Sequence, residues 1–120
     1  MSWELFEPPR RGRQPVRPSV ALTKKGRIQI SRLAFEQFPE PPTHVLLKTA
    51  LADGLFGIEP AASVSLHAFP VNSGQAIYSR PFCRMLEANG WILDYRATRY
   101  SAEWDDEEQM LIVCLKEALS

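Results

Sequence analysis

The chain has 120 residues, 45% of them hydrophobic, and balances 14 basic against 14 acidic side chains. That length and apolar content suit one domain with its own core, or two very small halves sharing one. There is no apolar run of membrane-spanning length and no signal-like apolar segment near the start, so a soluble, cytoplasmic protein with no membrane role is expected.

The zero net charge hides a polarity. Residues 1–32 carry Arg10, Arg11, Arg13, Arg17, Lys24, Lys25, Arg27 and Arg32 against Glu4 and Glu7 alone. Residues 100–120 carry Glu103, Asp105, Asp106, Glu107, Glu108 and Glu117 against Lys116 alone. Such a distribution suits a basic face for nucleic acid. It suits equally a basic arm that reaches an acidic turn, on its own chain or on a neighbour.

Residues 1–18 read as a flexible basic arm. Pro8, Pro9, Pro15 and Pro18 interrupt it, and it holds too little apolar surface to fold alone. It is either a solvated tail or a segment that follows a phosphate backbone through Arg10, Arg11, Arg13 and Arg17. Trp3, Leu5 and Phe6 form a small anchor at its start.

Residues 19–120 read as a single globular domain. Val20, Leu22, Ile28 and Ile30 alternate with polar neighbours, the period of a strand with one buried face. Lys24-Lys25-Gly26 breaks the alternation and predicts a turn, because glycine tolerates positive φ. Ser31 then caps a short helix whose inner face is Leu33, Ala34, Phe35 and Phe38, and Pro39 closes it. His44 to Ala50 and Leu55 to Glu59 predict strands joined at Asp53-Gly54, the second ended by Pro60.

The second half reruns this order. Ala68 to Val71 predicts a strand, demoted to an edge by Pro70. A turn at Asn72-Ser73-Gly74 and a short strand from Gln75 to Tyr78 follow. Ser79 caps a helix with Phe82, Cys83, Met85 and Leu86 inside. Ile92 to Trp104 and Met110 to Leu115 then form a hairpin over Asp105–Glu108. Gly26/Gly74, Ser31/Ser79 and Arg32/Arg80 each stand 48 positions apart. The expected architecture is therefore α+β, mainly antiparallel β with two short helices. It is built from two repeats, 19–60 and 67–118, that share one core.

The run LTKKGRIQIS, a short helix and then THVLLKTALADGLFGIEP resembles the swapped-hairpin DNA-binding domains of the AbrB/SpoVT class. That resemblance covers residues 20–60 and implies strand, basic turn, strand, short helix and closing hairpin. It also implies an intertwined pair of such units, which MraZ-type relatives carry in one chain. Carried over by position, it implicates Lys24, Lys25, Arg27 and Arg32 in DNA contact. The second unit has Asn72-Ser73-Gly74-Gln75 where the family would have a basic turn, so the implied two-fold surface is charged on one half.

Nothing in the sequence assembles catalytic groups. His44 and His67 stand 23 residues apart with no further ligand at zinc spacing, and Ser31 and Ser79 are better placed as helix caps than as nucleophiles. The contiguous carboxylates of Asp105–Glu108 suit a solvated turn rather than a metal loop. Cys83 and Cys114 are expected to be buried thiols, ahead of a disulfide, which the lack of a secretion signal argues against. Trp91, Tyr95, Tyr100 and Trp104, interleaved with Arg96 and Arg99, suggest cross-strand packing ahead of base stacking, because Tyr95 and Tyr100 fall on opposite strand faces. The expectation is a small non-enzymatic, transcription-regulator-like protein with no cofactor and no metal, whose partner is DNA. The alternative is an assembly module that binds itself, as a homo-oligomer, or another protein.

Overall fold

The computed structural model describes residues 3–4, 17–23, 25–91 and 98–119. Within them each half runs strand, strand, helix, strand, strand. The first half is β1 (Ser19–Leu22), β2 (Arg27–Ile30), α1 (Arg32–Phe35), β3 (His44–Ala50) and β4 (Leu55–Ala61). The second is β5 (Phe69–Pro70), β6 (Ala76–Tyr78), α2 (Arg80–Ala88), β7 (Thr98–Asp105) and β8 (Met110–Ala118).

The eight strands form one antiparallel, barrel-like sheet in the order β5-β3-β4-β8-β7-β1-β2-β6. It nearly closes, because β6 returns to β5 through a turn in which the Asn72 N–H donates to the Ala76 carbonyl at 3.0 Å. Exchanging β1–β4 for β5–β8 leaves the cyclic order unchanged. The β1–β2 hairpin does not pair with β3 and β4 of its own half. It lies between β7 and β6, with Val20 opposite Tyr100 and Ile28 opposite Ile77. In turn, β5 pairs with β3.

The alternation read from sequence is the burial pattern. Val20, Leu22, Ile28, Ile30, Ile58 and Leu111 are fully buried inside the sheet, while Ala21, Gln29 and Ile112 turn outward. Each such aliphatic side chain contributes about 1.5–3 kcal/mol. The helices leave β2 and β6 from opposite ends of that antiparallel pair. Ala34 and Phe38 enter the core behind α1; Phe82, Cys83 and Leu86 enter it from α2. Phe82 meets Phe56 edge to face at 5.2 Å.

The turns repeat at the level of single hydrogen bonds. In the first, the Gly26 N–H donates to the Thr23 carbonyl at 3.1 Å, and the Arg27 N–H to Thr23 Oγ1 at 3.1 Å. In the second, the Gln75 N–H donates to the Asn72 carbonyl at 2.9 Å, and the Ala76 N–H to Asn72 Oδ1 at 2.9 Å. The left-handed residue is Gly26 (φ +99°) in one and Gln75 (φ +60°) in the other. The closing hairpins match likewise, with Gly54 at φ +69° and Gln109 at φ +54°.

Several boundaries differ from the sequence expectation. The counterpart of Gly26 is Gln75, not Gly74, because β6 is one residue shorter than β2. The helical segment of α1 stops at Phe35, and single i→i+3 bonds from the Gln37 and Phe38 N–H groups carry the chain to buried Phe38. Strand β4 runs through Pro60 to Ala61. Its pairing with β8 ends at Ile58, so the missing N–H of Pro60 faces no partner on that side. Residues 92–97, expected to open β7, lie outside the described residues.

Candidate nucleic-acid interface

The candidate site is set by how closely the first turn approaches the second helix. A Cβ on Gly26 would lie 2.6 Å from the Arg80 amide nitrogen and 2.7 Å from its Cα. The Ser79 N–H donates to the Gly26 carbonyl at 2.8 Å. Only glycine fits there, on two counts: no room for a side chain and a left-handed φ. The consequence is a junction of two basic segments distant in sequence. Lys25 and Arg27 flank Gly26, and Arg80 opens α2 against it. Arg84 stands one turn further, where i and i+4 share a helix face. All four side chains are exposed.

The ion pairs drawn among the described residues are Arg32–Glu36 at 3.1 Å and Lys48–Glu59 at 3.0 Å. Neither involves Lys25, Arg27, Arg80 or Arg84, so their charges gather without a carboxylate at ion-pair distance among the described residues. Arg27 is held in place: its Nη2 donates to Gln29 Oε1 at 2.6 Å, and Gln29 Nε2 donates to the Gly74 carbonyl at 2.6 Å. Tyr78, directly across from Arg27 on β6, is 59% exposed.

The expected residues divide. Lys25 and Arg27 stand together on the exposed turn. Arg17 is exposed beside Pro18, whose carbonyl accepts the Ala102 N–H at 3.2 Å. Arg10, Arg11, Arg13 and Lys24 lie outside the described residues. Arg32 does not join the turn: it opens α1 at the other end of β2, beside the uncharged second turn, and pairs with Glu36. Its place beside the basic turn is taken by Arg80. The sequence did carry a signal for this, since Arg80 matches Arg32 at the 48-residue spacing. This exchange of hairpins puts the first turn against the helix of the second half. Tyr78 and Arg84 follow once that exchange is recognised.

The remaining candidates are structural. Ser31 Oγ accepts the Ala34 N–H at 3.2 Å and the Ser19 N–H at 2.9 Å; Ser79 Oγ accepts the Phe82 N–H at 3.3 Å. Asp105 Oδ1 accepts the N–H groups of Glu107 and Glu108, which fixes the acidic turn. Tyr100 is buried, and Trp104 meets Phe38 edge-on at 5.2 Å and donates its indole N–H to Asp106 at 3.1 Å. Both therefore pack rather than present a stacking face, and Tyr95 lies outside the described residues. Cys83 and Cys114 are free thiols; burial pushes Cys83 up to about 11. Among the described residues no three His, Cys, Asp or Glu side chains gather as metal ligands, and no helix is long and apolar enough to cross a membrane.

A groove of about 280 Å³ lies on the outer face of β4, β8 and β7, with Glu103, Asp105 and Glu117 around Leu55, Ile112 and Cys114. Strand β1 separates it from the basic junction in the sheet order. Comparison with known proteins gives no matching family model, no significantly similar curated protein and no significantly similar solved structure.

Proposed function

We propose that this chain is a non-enzymatic nucleic-acid-binding protein of the transcription-regulator kind, acting from the cytoplasm through the junction of its first turn with α2. The observation that carries the reading is the approach of Gly26 to Arg80, which gathers Lys25, Arg27, Arg80 and Arg84 on one edge. Cations so placed contact phosphates and release counterions, which gives affinity without reading sequence. The arm, with Arg10, Arg11, Arg13 and Arg17, extends the contact. Because the opposite turn is Asn72-Ser73-Gly74-Gln75, the binding surface is one-sided.

The chain is further inferred to be a duplicated AbrB-like unit, two swapped hairpins in one chain. Three features support this: the repeated element order, a cyclic strand order invariant to exchange of the halves, and the matching bonds of the two turns.

The test is fluorescence anisotropy with labelled DNA across a salt series. Wild type should bind, and log affinity should fall linearly with log salt. A Lys25/Arg27/Arg80→Ala variant should lose about 0.7–0.9 of slope for each phosphate contact removed. Arg32→Ala, already neutralised by Glu36, should keep the wild-type slope. Equal slopes in all three proteins, or no binding at low salt, would refute the reading.

A second reading, an assembly module, is favoured by the acidic groove, whose Glu103, Asp105 and Glu117 complement the arginines of the arm. Removing residues 1–18 separates the two. Loss of nucleic-acid binding with unchanged mass in solution supports the first; loss of self-association, or of association with another protein, without nucleic acid supports the second.

A further inference from the structure

We propose that Tyr78 is a stacking platform for an unpaired nucleobase, which makes single-stranded nucleic acid the preferred ligand of the basic edge. This rests on the nucleic-acid reading above and narrows its substrate class. The first observation is exposure. Tyr78 is 59% exposed on β6, whereas Phe56, Phe82 and Tyr100 are buried in the core. Its neighbour Ile77 fills the inner face, so the Tyr78 ring is on the outer face by strand alternation.

The second observation is its pairing. The Ser79 N–H to Gly26 carbonyl bond makes Arg27 and Tyr78 a non-hydrogen-bonded pair, the closer of the two antiparallel classes at about 4.5 Å between Cα atoms. The Arg27 side chain leans along β2 to Gln29, which is itself anchored on Gly74, so it is held and does not fold back over the ring. Two residues further along the chain, the Arg80 backbone meets Gly26 beside Lys25.

An exposed aromatic face beside cations is what a single strand requires. The ring takes a base whose π-face is free, and the cations take the phosphates on either side of it. A duplex keeps its bases stacked and offers this ring only backbone. The site therefore discriminates by base accessibility, and not by a base-edge pattern. The shared chemistry is an unpaired base between two phosphodiesters, found in single-stranded DNA and RNA alike.

The experiment uses the full chain and labelled oligomers of about 15 nucleotides, within the usual site size of single-strand binders. Four probes are used: oligo-dT, oligo-rU, a duplex of mixed sequence, and an abasic oligodeoxynucleotide with the same phosphates. The proteins are wild type, Tyr78→Phe and Tyr78→Ala. Both substitutions are at an exposed position, and circular dichroism checks that each variant is folded. Wild type should prefer one or both single strands over duplex and abasic probe. Tyr78→Ala should weaken single-strand binding by about 5- to 150-fold at unchanged salt slope, with duplex and abasic binding unaltered. Tyr78→Phe, which keeps the ring, should bind as wild type does. The ratio of dT to rU affinity tells whether the sugar is read. If the probes bind but Tyr78→Ala binds single strands as wild type does, or weakens duplex and abasic binding equally, the stacking inference is overturned and the phosphate reading stands. If none of the four probes binds at low salt, the nucleic-acid reading fails with it.

Discussion

Substituting Gly26 by alanine isolates the close approach on which the candidate interface depends. A Cβ at this position would sit 2.6 Å from the Arg80 nitrogen and 2.7 Å from its Cα, both backbone atoms that cannot rotate away. The start of α2 must therefore move, and the 2.8 Å bond from the Ser79 N–H to the Gly26 carbonyl is lengthened or lost. That bond is worth about 1 kcal/mol. Holding alanine at φ +99° costs about 1–2 kcal/mol, against which the stiffer unfolded chain returns about 0.4–1 kcal/mol. With the steric displacement added, the net loss should be about 2–3 kcal/mol. The control is Gly74→Ala. Gly74 has no positive φ, and the nearest atom to its Cβ position is Asn72 Oδ1 at 3.3 Å, so its loss should stay within about 0.5 kcal/mol. Equilibrium urea unfolding, followed by tryptophan fluorescence and far-UV circular dichroism, reads both values. In thermal melts Gly26→Ala should fall by about 10 °C. A loss below about 1 kcal/mol for Gly26→Ala, or equal losses for both variants, would refute the argument.

Ser31→Ala should cost more than Ser79→Ala, about 2 against about 1 kcal/mol in urea unfolding. Ser31 Oγ satisfies both the Ala34 and the Ser19 N–H groups, whereas Ser79 Oγ caps α2 alone. Stability should also fall in alkali. Burial raises Cys83 from 9.0 to about 11, so the unfolded chain releases this proton first. The contribution is complete below pH 9 and is lost as pH rises toward 11, to a limit of about 3 kcal/mol. Cys83→Ala should flatten that part of the curve. A remaining fall in the same direction above pH 10 is expected from Tyr100, raised by burial against the opposing hydrogen bond from Thr98. A curve through pH 9–11 that is unchanged by Cys83→Ala would contradict this assignment.

Much of the sheet is legible in the chain because its signals are local. Val20, Leu22, Ile28 and Ile30 alternate as a strand with one face in the core must, and Ser31 and Ser79 cap helices through bonds that span three residues. Pro70 marks an edge strand for the same kind of reason. What the chain does not spell out is which strands meet. The pairing of Val20 with Tyr100 joins residues from opposite halves, and no local preference encodes it. The Gly26–Gly74 match was misleading because a left-handed position accepts a polar residue such as Gln75 when neighbouring bonds hold it. Arg32 is implied in DNA contact by the resemblance, which carries it over by position. The length of β2 stands between it and the basic turn, and the pairing of β2 with β6 brings Arg80 there instead.

The exchange of hairpins also governs the order in which the fold can be assembled. Ser19 pairs with Ser101, and β2 pairs with β6, so the first hairpin has no outer neighbour until the second half exists. During synthesis at about 5–20 residues per second, roughly 80 residues separate β1 from its partner in β7, a delay of several seconds. Closure is then a late, non-local event, which places this barrel among slow-folding topologies. Through that interval the apolar inner face of β1 and β2, with Val20, Leu22, Ile28 and Ile30, stays uncovered by its final partners. A second nascent chain at the same stage offers the same unpaired edges. The arrangement that seats the first hairpin between strands of the second half therefore also offers a route to exchange between copies, with the first hairpin of one closing the sheet of another.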